Sequence, residues 1–372
     1  MRKNVLITGG AGFVGSHTAD LLLQQGHRVT IFDCLAPQVH CGGLPSYLPA
    51  EAEFMRGNLS DFDSVCQAVE GMDAILHLAA AVGVGQSMYE IASYTADNIQ
   101  GTANLLQSIL KTAPPLTKLV VASSMSIYGE GQGLCEQCGP VAPGQRSLAA
   151  LKEKQWELRC PGCDNQLTPM PTAEDKSLQC SSIYALSKKA QEEMVLLFGA
   201  TYGIPSIALR YFNIYGPRQS LSNPYTGVAA IFASRLLNRK PPMIFEDGQQ
   251  MRDFVNVRDI ASANLLALEN VGARGMALNI GSGTPVTIEQ VGRQIAGMMG
   301  REIAPRIKQQ YRVGDIRHCF GDISRASKVL GYQPAVSFQD GMSELVGWLR
   351  SQQAEDRTEE AMEHLSIRGL VA

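Results

Sequence analysis

Short apolar runs alternate with amphipathic stretches along the first 125 residues. Residues 4–8 form an apolar strand. Residues 13–25 place Phe13, Val14, Leu21, Leu22 and Leu23 near helical spacing, and residues 28–32 return to strand character. Residues 73–79 and 118–123 are further buried strands. Near-continuous apolar strands joined by helices predict an α/β fold with a doubly wound parallel sheet covered on both faces. Residues 130–182 break the pattern. They are rich in Gly, Pro, Gln and Cys and lack apolar periodicity, which marks an insertion with its own organisation. The alternation resumes with a helix from Ile183 to about 202, a strand at 205–211, and loops and helices to about 350. The tail from Ser351 is of mixed charge with a weak helical pattern and no usable motif.

The 372 residues are 45% hydrophobic and 18% charged, enough to build a sizeable core. A net charge of -3 without a polybasic stretch argues against a nucleic-acid partner. The longest apolar runs fall far short of the roughly 20 residues of a membrane span. The first strand begins too early for a signal peptide, so a cytoplasmic protein without membrane contact is expected. Nine cysteines are many for such a chain. Cys34, Cys41, Cys66, Cys180 and Cys319 are scattered, whereas Cys135, Cys138, Cys160 and Cys163 stand in close pairs.

Residues 8–16 read Thr-Gly-Gly-Ala-Gly-Phe-Val-Gly-Ser, with Gly9, Gly12 and Gly15 between a strand and a helix. Glycines there permit a tight turn and let the backbone approach a pyrophosphate. The helix starting near Phe13 and Val14 offers free N–H groups and its positive dipole end to that anion. Asp33 ends the second strand, 18 residues past Gly15. Its carboxylate suits ribose hydroxyls and would repel a 2′-phosphate, which favours NAD over NADP.

The strand at 118–123 runs into Ser123-Ser124-Met125-Ser126-Ile127-Tyr128-Gly129. Tyr184 and Lys188 stand four apart on a predicted helix, hence on one face. An ammonium beside a phenol favours the phenolate, and a phenol tuned in that way serves as a general base. Ser124 falls at the carboxyl end of a sheet strand, where ligands bind in open α/β sheets. Its hydroxyl would orient the substrate oxygen.

Together the glycine loop, Tyr184-x-x-x-Lys188 and the Ser-Ser-x-x-x-Tyr-Gly segment resemble the extended short-chain dehydrogenases/reductases that act on sugar nucleotides. The likeness covers residues 1–129 and 183–347. Further matching segments are Asn98-x-x-Gly101-Thr102, Tyr211-Phe212-Asn213-x-Tyr215-Gly216-Pro217-Arg218, Arg252-Asp253-Phe254, Asn279-Ile280-Gly281 and Gly331-Tyr332-x-Pro334. The resemblance implies a Rossmann-type NAD-binding domain from 1–129 with parts of 183–260. A smaller substrate domain from parts of 213–350 would follow, with a cleft between the two for a nucleotide sugar. It implies cofactor contacts at Asn58, Leu59, Leu78, Ala79, Ala80, Asn98, Tyr184, Lys188 and Tyr211. It implies substrate contacts at Ser124, Ser126, Asn213, Arg218, Arg252 and Arg317, the arginines suiting phosphate oxygens. Asn58 departs from the family, which has Asp there beside the adenine; the amide keeps an acceptor but loses the charge. His77 reads as a packed or capping core histidine.

The family's reactions begin alike: Tyr184 takes a proton from a sugar hydroxyl while the carbon is oxidised by NAD. Its dehydratases carry Thr-Asp-Glu where this chain has Ser124-Met125-Ser126, and its decarboxylases carry Glu at the position of Ser126. Without those acids, the resemblance points to a 4-epimerase, in which the oxidised sugar turns over and is reduced on its other face. An NADH-dependent 4-keto-sugar reductase is the nearest rival. By resemblance the chain forms a homodimer through helices near 97–112 and 183–201.

Cys135-x-x-Cys138 and Cys160-x-x-Cys163 are two knuckles with 21 residues between them. Four thiolates so spaced surround one Zn²⁺ and leave no open position, which marks a structural metal. The knuckles resemble those of zinc ribbons, so residues 130–182 are expected to form a ribbon beside the active site. Lid, specificity wall and subunit contact all stay open as its role, and a docking module on an inactive scaffold is the contrasting possibility. The insert and the segment Arg218–Val228 are similar to bacterial 4-epimerases that interconvert dTDP-L-rhamnose and dTDP-6-deoxy-L-talose. UDP-glucose and UDP-hexuronates remain open as substrates.

Overall fold

The coordinates are a computed structural model describing residues 2–40, 43–301 and 303–372; Cys41 lies outside the described residues. Seven strands make the central sheet: β1 (Asn4–Thr8), β2 (Arg28–Asp33), β3 (Glu53–Arg56), β4 (Ala74–His77), β5 (Lys118–Ser124), β6 (Ser206–Tyr211) and β7 (Met276–Ile280). They lie in the order β7–β6–β5–β4–β1–β2–β3, and every neighbouring pair is parallel. Alternate residues of β1 feed two cores. Val5 and Ile7 pack with Ala19, Leu22 and Leu76 on one face, and Leu6 packs with Val65, Ile75 and Leu119 on the other. Two-sided burial explains why these strands read as unbroken apolar runs. The expected doubly wound Rossmann-type sheet is therefore present, and its order reverses between β1 and β4, the place where such sheets open a crevice.

Two details differ from the sequence reading. β3 and β7 went unrecognised, because Glu53–Arg56 is short and exposed at both ends and Met276–Ile280 falls in the stretch read as loops and helices. The strand expected at 73–79 stops at His77, where Leu78–Ala80 leave the sheet to run beside the glycine loop. His77 is neutral core, as expected: its ring nitrogens lie 2.8 Å from Thr8 Oγ1 and Thr102 Oγ1. Burial lowers its pKa to about 3.

A second set of elements follows the sheet. The strand Met251–Asn256 pairs with Asn213–Tyr215, Pro285–Thr287 and His318–Cys319. Helices Val228–Leu237, Ile288–Met298 and Phe338–Leu349 enclose a core around Phe232, Ile295, Met342 and Leu345. In the insertion, strands Gly139–Val141, Gln132–Cys135 and Thr168–Met170 form a small antiparallel sheet. Its core is only Cys135, Leu158, Cys160 and Leu167 with Val141 and Cys163 beside it. The tail is ordered by docking rather than by pattern. Helix Thr358–Ile367 buries Ala361 and Leu365, and residues 370–372 exchange backbone hydrogen bonds with Tyr311 and Val313.

A charged layer lies inside the fold beneath the end of β5. Arg210 Nε and Nη2 donate to the Glu192 carboxylate at 2.6–3.2 Å, Ser123 Oγ donates to the same carboxylate, and Arg210 Nη1 donates to Tyr128 Oη at 2.8 Å. Both charges are more than nine-tenths buried. Removing one partner of such a pair strands the other. Glu192→Ala is expected to lower the unfolding free energy by about 3–5 kcal/mol in urea titrations; a loss below about 1 kcal/mol would contradict the assigned pairing.

Candidate active site

The crevice is shaped first by glycine. Gly9 has φ +70°, and a Cβ there would stand 2.8 Å from Ala79 Cα and N, so the loop meets the chain leaving β4 only because no side chain intervenes. A Cβ on Gly12 would instead meet only Gly9 O, at 3.3 Å, so this side of the loop is open. Gly12 is the N-cap of helix Phe13–Gln24, no side chain caps it, and the first turn holds no acid. The donors of that turn are thus left for an outside anion. Asp33 Oδ2 accepts from Ala11 N at 3.0 Å and Oδ1 from Leu35 N at 2.8 Å, which ties the carboxylate to the loop while each oxygen keeps a further lone pair. An open glycine cradle, an uncapped helix end and a fixed carboxylate fit a dinucleotide such as NAD.

The other expected cofactor residues are placed as follows. Leu78, Ala79 and Ala80 are partly exposed where β4 ends. Asn58 is exposed and its Oδ1 accepts from Ser60 N, whereas Leu59 is buried. Asn98 is fully buried, bonding Ala81 N, Ala81 O and Ser187 Oγ, so its amide holds the chain after β4 against the helix Ile183–Tyr202. The Tyr211 hydroxyl donates to Asn264 Oδ1, which in turn fixes Thr18 through its Nδ2.

Ser124 and Tyr184 meet at the carboxyl end of β5, and Lys188 follows Tyr184 by one turn on the helix Ile183–Tyr202. Ser124 Oγ accepts from Ser126 N at 3.2 Å and Ser126 Oγ at 2.9 Å, so the two serines present one hydroxyl cluster. Burial pushes the Tyr184 phenol above its usual range, and its hydrogen bond with Ser124 works against that. Burial also brings the Lys188 amine down to about 7, with Glu192 opposing. The sequence reading had Lys188 lowering the pKa of Tyr184. Here the amine hydrogen-bonds Gln191 Oε1 at 2.7 Å, and Ser124 is the group that lowers the phenol. Gln191 went unnoticed in the sequence because a glutamine one turn past Lys188 looks like solvated helix surface. It is fully buried and also donates to Thr102 Oγ1. The chain after β4 meets this helix too, with Tyr184 N donating to Ser87 Oγ at 3.0 Å.

The expected substrate residues scatter more. Asn213 Oδ1 is buried without a hydrogen-bond partner among the described residues. Arg218 pairs with Asp20 at 2.7 Å and stacks over Tyr47, whose hydroxyl donates to Ala11 O of the glycine loop. Arg252 Nη1 donates to Met251 O and Arg317 O at 2.9 and 3.0 Å, and Nη2 to Ile316 O. Arg317 is 0% exposed and donates to Glu157, Glu246 and Asp247, so its guanidinium is engaged within the protein. In the same segment, Arg312 keeps 40% of its side chain exposed and stacks over Phe245.

Sγ atoms of Cys135, Cys138, Cys160 and Cys163 all lie within 4.8 Å of one another, and no disulfide joins them. Backbone N–H groups of Gly162 and Cys163 donate toward Cys160 and hold its thiol down to about 7, favouring the thiolate. A set of four thiols gathered around one point suits a tetrahedral metal.

Comparison with known proteins agrees with this geometry. The model of the NAD dependent epimerase/dehydratase family matches residues 5–147 and 163–281, and the gap falls inside the cysteine insertion. A dTDP-L-rhamnose 4-epimerase of Burkholderia thailandensis is 33% identical over 352 residues, 93% of this chain and 95% of the relative. Two solved UDP-glucose 4-epimerases are each 30% identical. That of Thermotoga maritima with UDP-glucose has a TM-score of 0.76, covering 93% of this chain and 98% of its own. That of Thermus thermophilus with NAD has 0.73, covering 94% and 99%. This chain belongs to the NAD-dependent epimerase/dehydratase family.

Lys188 also bears on stability. The folded amine is neutral above about 7, whereas an unfolded lysine holds its proton to about 10.4. Between those values the unfolded chain binds more protons, so folding stability rises with pH. In Lys188→Met, urea midpoints at pH 6.5 and 9 should lose this rise relative to wild type; an unchanged difference would contradict the buried amine.

Proposed function

We propose that this chain interconverts the C4 epimers dTDP-L-rhamnose and dTDP-6-deoxy-L-talose. The reaction class is an NAD-dependent nucleotide-sugar 4-epimerase. The observation that carries it is the Ser124–Ser126–Tyr184 cluster, which offers hydroxyls and a phenol but neither of the carboxylic acids a dehydratase uses at 125 and 126. The residues around Gly9, Gly12 and Asp33 would hold NAD, which supplies a two-electron acceptor and donor for the sugar carbon. Tyr184 Oη takes the C4-hydroxyl proton and later returns one, Ser124 fixes that oxygen, and Ser126 orients Ser124. The buried Lys188 amine, held by Gln191 Oε1, sits one helical turn along from Tyr184. Asn213 and Arg252 receive the diphosphate. Because electrons and protons both return to the sugar, the net change is configuration alone.

The choice of dTDP-6-deoxy-hexose rests on the similarity to the Burkholderia enzyme and on the cysteine insertion. UDP-glucose is the second reading, favoured by the solved UDP-glucose 4-epimerases at 30% identity. The four cysteines hold one structural zinc. We read the chain as an NAD-binding unit (1–129 with parts of 183–260), a ribbon (130–182), a substrate unit (parts of 213–350) and a docked tail. A homodimer through the helices near 97–112 and 183–201 would cover Leu110, Leu186 and Leu197, which are 46%, 51% and 70% exposed.

Tyr184→Phe should lower kcat on dTDP-L-rhamnose by about 10²–10⁴-fold while NAD stays bound, because only the proton-transfer group is lost; wild-type turnover would sink the mechanism. Cys135→Ser with Cys160→Ser should reduce zinc from one ion per chain to none by atomic emission, and unchanged metal content would refute the ribbon site.

A further inference from the structure

The insertion meets the substrate side through Glu157, Glu130 and Arg146. Glu157 stands three positions before Cys160, and Leu158 between them is buried in the ribbon's small core. One oxygen of the Glu157 carboxylate accepts from Arg317 Nε and Nη2 at 3.2 and 2.5 Å, and the other lies 2.9 Å from His318 Nε2. Arg317 and Ile316 offer their carbonyls to the Arg252 guanidinium, and His318 Nδ1 accepts from Met251 N, next to Arg252. The backbone N–H groups of Arg317 and His318 point back to Glu130, which pairs with Arg146 of the insertion at 3.2 Å. Arg146 in turn bonds Asp315 O. Within residues 315–318 the insertion therefore grips Asp315, Arg317 and His318, while the carbonyls of Ile316 and Arg317 cradle Arg252. A cavity of about 110 Å³ lies at this seam, lined by Glu130, Arg146, Ser181, Gly314 and Asp315.

We propose that Glu157 is a positioning residue: the metal-held ribbon uses it to set residues 315–318, and through them the Arg252 guanidinium that receives the diphosphate. The inference rests on the reading of Arg252 as a diphosphate contact. Arg252 has two of its donors committed to carbonyls of 316 and 317, so its direction follows that backbone. Arg317 is 0% exposed and cannot meet substrate without leaving Glu157, Glu246 and Asp247, so its charge serves the seam. The ribbon thereby acts on substrate affinity and not on the Ser124–Tyr184 chemistry.

The test is calorimetric binding of dTDP, with UDP in parallel, to the NAD- and zinc-loaded protein. Glu157→Gln keeps the side-chain shape and should weaken dTDP about tenfold and raise KM similarly. Its kcat should stay within about twofold of wild type, with NAD and zinc contents unchanged. Glu157→Ala should weaken binding further, and Glu157→Asp should recover part of the loss. Glu153→Gln, an exposed charge of the same insertion, should leave affinity unchanged. Arg252→Ala separates the two ideas. If it weakens dTDP while Glu157→Gln does not, the positioning role is wrong and the diphosphate reading stands; if Arg252→Ala binds dTDP as wild type does, the diphosphate reading fails and this inference fails with it. A fall in kcat without a change in KM for Glu157→Gln would also overturn it.

Discussion

The active crevice depends on two backbones touching. Gly9, in a left-handed conformation, lies against Ala79 at a distance no side chain tolerates. That contact brings the loop after β1 beside the chain leaving β4, at the point where the strand order reverses. From it follow the uncapped start of helix Phe13–Gln24, the seat of Asp33, and the course of residues 79–87 toward Tyr184. A residue with a Cβ at position 9 would have to push these two segments apart, and the crevice with them.

Around this contact the protein places its polar groups in two buried layers. One lies beneath β5, where Arg210, Glu192, Tyr128 and Ser123 bond one another and Gln191 takes the amine of Lys188. The other joins the ribbon to residues 315–318. Buried ion pairs gain little net stability over well-packed apolar groups, but a lost partner is costly. Such layers hold geometry, and both stand directly behind residues assigned to chemistry or substrate. A recess of about 1030 Å³ bordered by Arg2, Asn4, His27 and Arg28 lies at the opposite, amino ends of the strands, away from this machinery.

Much of this was legible in the chain because strong local rules applied. Two-sided strands left apolar runs at 4–8 and 118–123, the glycine loop carried its acid at Asp33, and the cysteine knuckles carried their own spacing. What escaped was decided by tertiary contacts. Arg317 reads as a phosphate-binding arginine, yet three carboxylates from distant parts of the chain enclose it. Asp253 lies in a recognisable motif, and the structure shows it accepting backbone N–H groups of residues 282 and 283. Gln191 and Glu157 look like surface residues until their partners arrive. The tail has no amphipathic signal of its own, because its docking relies on Leu365 over Gly85 and Arg368 over the Tyr89 ring.

The most direct test of the central claim is to incubate the purified protein with dTDP-L-rhamnose in D₂O, adding no cofactor, and to follow the sugar C4 by NMR. Redox-neutral epimerisation predicts inversion at C4 with the C4 hydrogen retained, since it returns to the same sugar without meeting solvent. No inversion, with reduction of a 4-keto sugar only when NADH is supplied, would contradict the account and identify a reductase.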